Sequence, residues 1–325
     1  MILIVGATGQ LGSAVTRELV NNGQKVRALV RSTSSAAYLK VLGVDLVTGD
    51  LRDTVSVRAA CQGVNTIIAT ANVVIRRAGD DFRSVEGTGY QNLIDSAKQQ
   101  GVGQFIYASV AVTPIDDKVL PLKYKRLNEQ RLQDSGLNYT IVRMSVFMDV
   151  WLALLGSQIP TRGAESPTVE RPFWFSKFYL GMIGRMIDDR GIAIVPGSGK
   201  TRHAFIAVRD VARFLARCVG HPQATRTILH LGGPQVLSWD EALDVFGQVL
   251  GKKIRPVHVP IGIFKANNAL LKPFAEGPAA IMGMNWMTGS ADSAYPTTDA
   301  DRILGQPLMT MHDFLAQKIE LPRSH

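Results

Sequence analysis

Ile2-Leu3-Ile4-Val5-Gly6-Ala7-Thr8-Gly9-Gln10-Leu11-Gly12 is the stretch whose reading decides the fold. Four apolar residues read as a buried strand, three glycines follow at intervals of three, and the spacing predicts a helix over 14–20. Gly6 permits the tight turn, Gly9 lets backbone approach a pyrophosphate, and Gly12 lets the helix lie close on the strand. The helix N-terminus presents unpaired N–H groups and the positive end of its dipole. Gly6, Thr8, Gly9, Gln10, Leu11 and Gly12 are therefore expected to cradle the phosphates of a dinucleotide. The spacing is G-x-x-G-x-x-G rather than the standard G-x-G-x-x-G, and the strand before it and helix after it distinguish it from a structural turn.

The next strand is expected over 25–30, and its end selects the dinucleotide. An NAD site usually closes this strand with an acid that holds the ribose 2′-OH. Here Arg31 follows, then Ser32, Thr33 and Ser34. A guanidinium pairs bidentately with a phosphate and hydroxyls add hydrogen bonds, so Arg31 and Ser32 favour the 2′-phosphate of NADP. The alternative is a solvated arginine at a strand end.

Strand and helix patterns alternate through the first 145 residues, as in a doubly wound parallel sheet. Further strands are expected over 44–48, 66–70, 105–109 and 139–142, with amphipathic helices over 54–61, 89–100 and 123–135. Ligands lie at the carboxyl ends of such strands. That places Asp50 and Leu51 near the adenine, Ala71, Asn72 and Val73 at the middle of the cofactor, and Ser109 at the nicotinamide end.

The pattern changes near Met148. Trp151, Phe173, Trp174, Phe175, Phe178 and Tyr179 occur without a clear period among Pro and Gly. This stretch reads as a lid, an oligomer contact, a membrane-surface patch or the core of a second lobe. A strand over 204–208, a helix over 210–219 and a strand over 227–231 follow. Ser238 and Glu241 form a capping box for a helix that Gly251 ends. The expected architecture is α/β: a doubly wound parallel Rossmann sheet in residues 1–150, a return strand and helix at about 203–219, and a smaller substrate lobe over 151–325.

Composition agrees with an ordinary folded enzyme. The chain has 325 residues, 46% of them hydrophobic and 19% charged, which argues against disorder. Its net charge of +9 is scattered, with no basic block or nucleic-acid motif, so attraction of an anionic cofactor suffices to explain it. The two cysteines, Cys61 and Cys218, match no metal or redox spacing, and no histidine pair has ligand spacing. A reducing, cytoplasmic compartment without a leader is the expectation, and no run is long enough to span a bilayer. Met282, Met284, Trp286 and Met287 suit either a flat apolar ligand or ordinary core filling.

For chemistry, Ser109, Tyr124, Lys125 and Glu129 fall within reach of the expected cleft. Lys125 could steady the nicotinamide ribose or handle a proton, while its i,i+4 spacing to Glu129 also fits a surface salt bridge. Gly6-Ala7-Thr8-Gly9, Arg31, Gly49-Asp50-Leu51, Phe105-Ile106-Tyr107-Ala108-Ser109 and Lys125 through Phe147-Met148 resemble the NmrA-like branch of the atypical short-chain dehydrogenases/reductases. Asp210-Val211-Ala212, Gly233-Pro234 and Leu304-Gly305 resemble the later part of the same family, so the likeness spans nearly the whole chain.

The resemblance implies NADP(H) binding, with Lys125 as base or ribose anchor and Ser109 at the position of the usual catalytic serine or as a cofactor contact; the residues themselves suggest Ser109 or Tyr124 to hold the substrate oxygen. It implies an NADPH-dependent reductase of an apolar, aromatic or quinonoid molecule, or a non-enzymatic redox sensor or assembly factor with peripheral membrane contact. One departure stands out. Short-chain dehydrogenases carry Tyr-x-x-x-Lys, and here Pro121 occupies the tyrosine position; Tyr124 is turned about 100° from Lys125 on a helix.

Overall fold

In a computed structural model of the chain, residues 1–31, 36–74, 79–164, 181 and 184–321 are described. Ser32 and the aromatics Phe173, Trp174, Phe175, Phe178 and Tyr179 lie outside them. The first six strands are β1 (Ile2–Val5), β2 (Val26–Val30), β3 (Asp45–Thr48), β4 (Thr66–Ala69), β5 (Gln104–Val110) and β6 (Tyr139–Met144). Five more follow: β7 (Ile192–Pro196), β8 (Arg202–Ala204), β9 (Thr227–Leu231), β10 (Val236–Ser238) and β11 (Arg255–Val259). Seven of them make one sheet in the order β3-β2-β1-β4-β5-β6-β9, and every neighbouring pair is parallel. The chain reverses its direction of travel across the sheet between β1 and β4, and a ligand crevice forms at such a switch point.

The sheet is covered on both faces, and β1 shows why. With a side-chain period of two, Ile2 and Ile4 enter one core while Leu3 and Val5 enter the other. On the first face lie α1 (Gln10–Asn21) and, beyond the short helix α2 (Ala37–Val41), elements from later in the chain. On the second face lie α3 (Thr54–Cys61), a π-helical segment (Phe82–Gly89) leading into α4 (Tyr90–Gln99), and α5 (Leu120–Asp134). Cys61 and Cys218 are both free and buried in these cores.

Among the described residues the later α-helices are α6 (Met148–Leu154), α7 (Val208–Arg217), α8 (Trp239–Leu250), α9 (Ile261–Leu271), α10 (Glu276–Ser290), α11 (Thr298–Leu304) and α12 (Met311–Glu320). Helix α7 returns to the first face, where Val211 and Leu215 join Val15 and Leu19 of α1. A separate core around Trp151, Trp239, Phe246 and Phe314 binds α6, α8 and α12 together. Two small ladders complete this region: β8 with β10, antiparallel, and β7 with β11, parallel.

The sequence reading placed a strand over 204–208. The chain instead makes the three-residue β8 and begins α7 at Val208. Between them Ile206 is held by a single bridge to Phe147. A short apolar run does not say whether it is buried by a ladder or by one contact. The strand that rejoins the main sheet is β9, paired Val142 to Leu229. No element was expected over α9 and α10. Helix α10 is buried over most of its surface, so its apolar residues have no 3.6-residue rhythm to detect.

Candidate functional site

The glycine turn has the geometry its spacing requires. Gly6 has a φ of +94°, and a Cβ there would lie 2.6 Å from the Ala71 nitrogen. At Gly12 a Cβ would lie 2.1 Å from the Gly6 carbonyl oxygen, so only glycine lets α1 sit this close to β1. Gly9 caps α1 with no side-chain acceptor, which leaves the N–H groups of the first turn aimed outward.

A cleft of about 480 Å³ opens over this turn and runs along the carboxyl ends of the strands. Gly6, Thr8, Gly9, Gln10, Leu11 and Gly12 line one end of it. Arg31, Asp50 and Leu51, then Ala71, Asn72 and Val73, and then Lys125 also line it.

At the Arg31 end the charges are paired in a way the linear sequence conceals. The Arg31 Nη1 donates to Asp80 at 2.6 Å, and Asp80 is almost wholly buried while Arg31 is 37% exposed. Arg52 forms two hydrogen bonds to Asp50, Nε to Oδ1 at 2.8 Å and Nη2 to Oδ2 at 2.7 Å, and a third to the Gly79 carbonyl. The Arg52 contact holds the Asp50 carboxyl below the usual carboxylate range, against the effect of its burial. Arg31 thus lines this end paired with Asp80, while Arg52 holds Asp50 and lies 3.8 Å from Asp80.

Lys125 projects from α5 into the cleft wall. Its Nζ donates to the Ala108 carbonyl at 2.9 Å and stands 4.7 Å from the centre of the Tyr107 ring. Burial lowers its pKa, and the carboxylate of Glu86 acts against that fall. Glu86 shares the cleft wall and is wholly buried. Its Oε1 accepts from the Val73 N–H at 3.1 Å. Burial pushes its pKa up, while Lys125 and the Val73 N–H pull it down. The sequence reading missed Glu86, because an acid inside a Gly-rich helical stretch gives no local sign of being buried.

Pro121, one turn before Lys125, also faces the cleft, whereas Ser109 and Tyr124 do not line it. The Ser109 hydroxyl is fully buried and donates to Glu129, which is itself clamped by Arg126 at 2.7 Å and Arg143 at 2.6 Å. That cluster ties β5, α5 and β6 together and leaves Ser109 with no proton to offer a ligand. Tyr124 stacks on Phe82 with ring centres 6.1 Å apart, behind the π-helical segment. The 100° step between adjacent helical residues sends it away from the lysine.

Beyond Lys125 the wall becomes apolar. Trp151 and Leu154 of α6 and Met284 and Met287 of α10 enclose this end. The methionine run therefore serves two surfaces, since Met282, Trp286 and Met287 also pack on Val119, Leu122 and Phe264. Polar atoms at this end come from Asn285 and from Ser145 and Ser293. The two serine hydroxyls lie 2.9 Å apart, and Ser293 Oγ lies 2.8 Å from His203 Nδ1. His203 Nε2 lies 2.9 Å from the Thr288 carbonyl, which only accepts, so Nε2 carries the proton and Nδ1 is the acceptor. Burial holds His203 neutral, with its pKa lowered to about 4. Among the described residues no cluster of His, Cys, Asp or Glu could hold a metal ion, and no helix is long and apolar enough to cross a membrane.

An all-parallel sheet with a glycine-turn cleft at its switch point defines a Rossmann-type dinucleotide-cleft protein. Within that class the chain belongs to the NmrA-like family, whose profile matches residues 1–276. It is 27% identical over 270 residues to the photosystem II assembly factor Ycf39 of Cyanophora paradoxa, covering 81% of this chain and 73% of that protein. It is 26% identical over 317 residues to an NAD(P)H azoreductase of Xenophilus azovorans, covering 97% and 96%. The NADPH-dependent quinone oxidoreductase QOR2 of Escherichia coli, solved with NADPH, has the same fold with a TM-score of 0.73 at 20% identity, covering 98% and 100%.

Proposed function

We propose that the chain binds NADP(H) in this cleft and reduces an apolar, aromatic or quinonoid small molecule. The observation that carries the reading is the continuity of one cleft from the glycine turn, past Lys125, to the wall of Trp151, Leu154, Met284 and Met287. The residues suit the cofactor. Gly6, Gly9 and Gly12 keep side chains out of the phosphate cradle, and Arg31 borders the place a 2′-phosphate would take. In this reading the first 150 residues hold the cofactor and the later ones close the substrate end.

When bound, a reduced nicotinamide supplies a hydride. The chain's own residues supply the remainder. Lys125, steadied by the Ala108 carbonyl, holds the ribose and gives a proton to the substrate oxygen or nitrogen that becomes anionic. An N–H bond breaks as the new O–H or N–H bond forms, and the amine regains its proton from water. The apolar wall excludes water and presents polarizable sulfur and an indole face to a flat ring.

A second reading, a non-enzymatic NADP(H)-binding sensor or assembly factor, is favoured by one observation: neither Ser109 nor Tyr124 reaches the cleft. Titration of the protein with NADPH and NADH, repeated on Arg31→Ala, tests the cofactor. Tighter NADPH binding that weakens selectively by about tenfold in the variant is expected, as for loss of a charge-assisted contact. A screen of quinones, enones and azo dyes then separates the readings: turnover supports the reductase, and cofactor binding without turnover of any of them supports the sensor.

A further inference from the structure

Glu86 presents an anomaly that the cleft explains. Its side chain is wholly buried in the π-helical segment Phe82–Gly89, a geometry that recurs at functional sites. One carboxylate oxygen accepts from Val73, and the other, Oε2, has no hydrogen-bond partner among the described residues. A buried acid with an unused oxygen costs stability unless a charge nearby compensates it. Lys125 shares its cleft wall and interacts with it electrostatically.

The other groups around the pair are accounted for. Lys125 meets the Tyr107 ring from β5 and Arg126 and Glu129 from its own helix. Glu129 is already held between Arg126 and Arg143. Glu86 meets, besides Lys125, the phenols of Tyr90 and Tyr107, and the Tyr90 hydroxyl donates to the Ala71 carbonyl. Asn128 of α5 donates to the Glu86 backbone carbonyl at 2.9 Å, which fixes the segment against the helix that carries Lys125.

We propose that Glu86 is the positioning residue that sets the charge of Lys125. Its carboxylate opposes the loss of charge that burial imposes on the amine, favouring the ammonium form that holds a ribose hydroxyl and releases a proton to the reduced substrate. The proposal rests on the reading of the cleft as a nicotinamide site with Lys125 at its ribose end. Removing the negative charge leaves burial unopposed, so Lys125 gives up its proton at lower pH.

The test is NADP⁺ affinity followed by calorimetry from neutral to alkaline pH. In the wild-type protein affinity falls on an alkaline limb as Lys125 loses its proton. In Glu86→Gln, which still accepts from Val73, the limb moves to lower pH by about one pH unit, while Glu86→Asp keeps it near its original place. In Lys125→Met the limb disappears. Wild-type protein alone gives a second measurement: binding on the limb takes up protons, seen as a heat that changes with the ionisation enthalpy of the buffer. An unmoved limb in folded Glu86→Gln, a limb that survives in Lys125→Met, or no proton uptake by the wild type would each overturn the proposal while leaving the cofactor reading intact. Failure of the wild type to bind NADP⁺ would overturn both.

Discussion

At the scale of single residues, Gly12 and Gly9 separate packing from binding. A methyl at Gly12 collides with the Gly6 carbonyl at 2.1 Å, whereas one at Gly9 meets the same oxygen at 3.3 Å. Gly12→Ala should therefore lower stability by about 1–3 kcal/mol, the usual cost of overpacking, and abolish NADPH binding. Gly9→Ala should leave the urea midpoint close to wild type and still weaken NADPH, because the added carbon faces the phosphate cradle. Denaturation and titration of the two variants check this together. Gly6 and Gly12 were legible in the sequence because a side chain at either would collide with backbone. Asp80 as the partner of Arg31, and Glu86 beside Lys125, were not legible, because nothing local marks an acid whose partner comes from another strand's loop or another helix.

At the scale of elements, the sequence was most readable where capping chemistry repeats a known geometry. Ser238 accepts from the Glu241 N–H while the Glu241 side chain accepts from the Ser238 N–H, and Gly251 ends α8 with a φ of +64°. Ser238→Ala should lower stability by about 1 kcal/mol, read as a lower melting temperature with cofactor affinity unchanged. The expected helix around Lys125 begins earlier, at Leu120, which brings Pro121 to the first turn where its missing N–H costs nothing. Helix α10 was not readable, for the reason that makes it useful. It is covered by α9 on one side and supplies cleft wall on another, so its sequence shows neither a polar face nor a rhythm.

At the scale of the whole molecule, buried titratable groups give stability a pH dependence with two opposing signs. His203 is held neutral, with a pKa of about 4 against an unfolded value near 6.5. The unfolded chain binds the extra proton first, so this contribution is present above about pH 6.5 and is lost as pH falls toward 4, by about 3 kcal/mol at most. Glu86 and Asp149 are pushed upward by burial and act in reverse, favouring the fold at low pH and withdrawing that support as pH rises. Urea midpoints at neutral and mildly acidic pH should thus converge in His203→Gln relative to wild type, whatever the variant's absolute stability. A difference between the two pH values as large as that of the wild type would refute the assignment.

The position of β9 has a consequence for how the chain reaches this state. Among the described residues the outer edge of β6 pairs with residues 227–231, which leave the ribosome after the whole of β7 and β8. During synthesis the sheet therefore carries an open, apolar edge of the kind that templates association between chains. Truncation before Thr227 should convert the protein into an aggregating species, and chaperone demand should peak while that edge awaits its last strand.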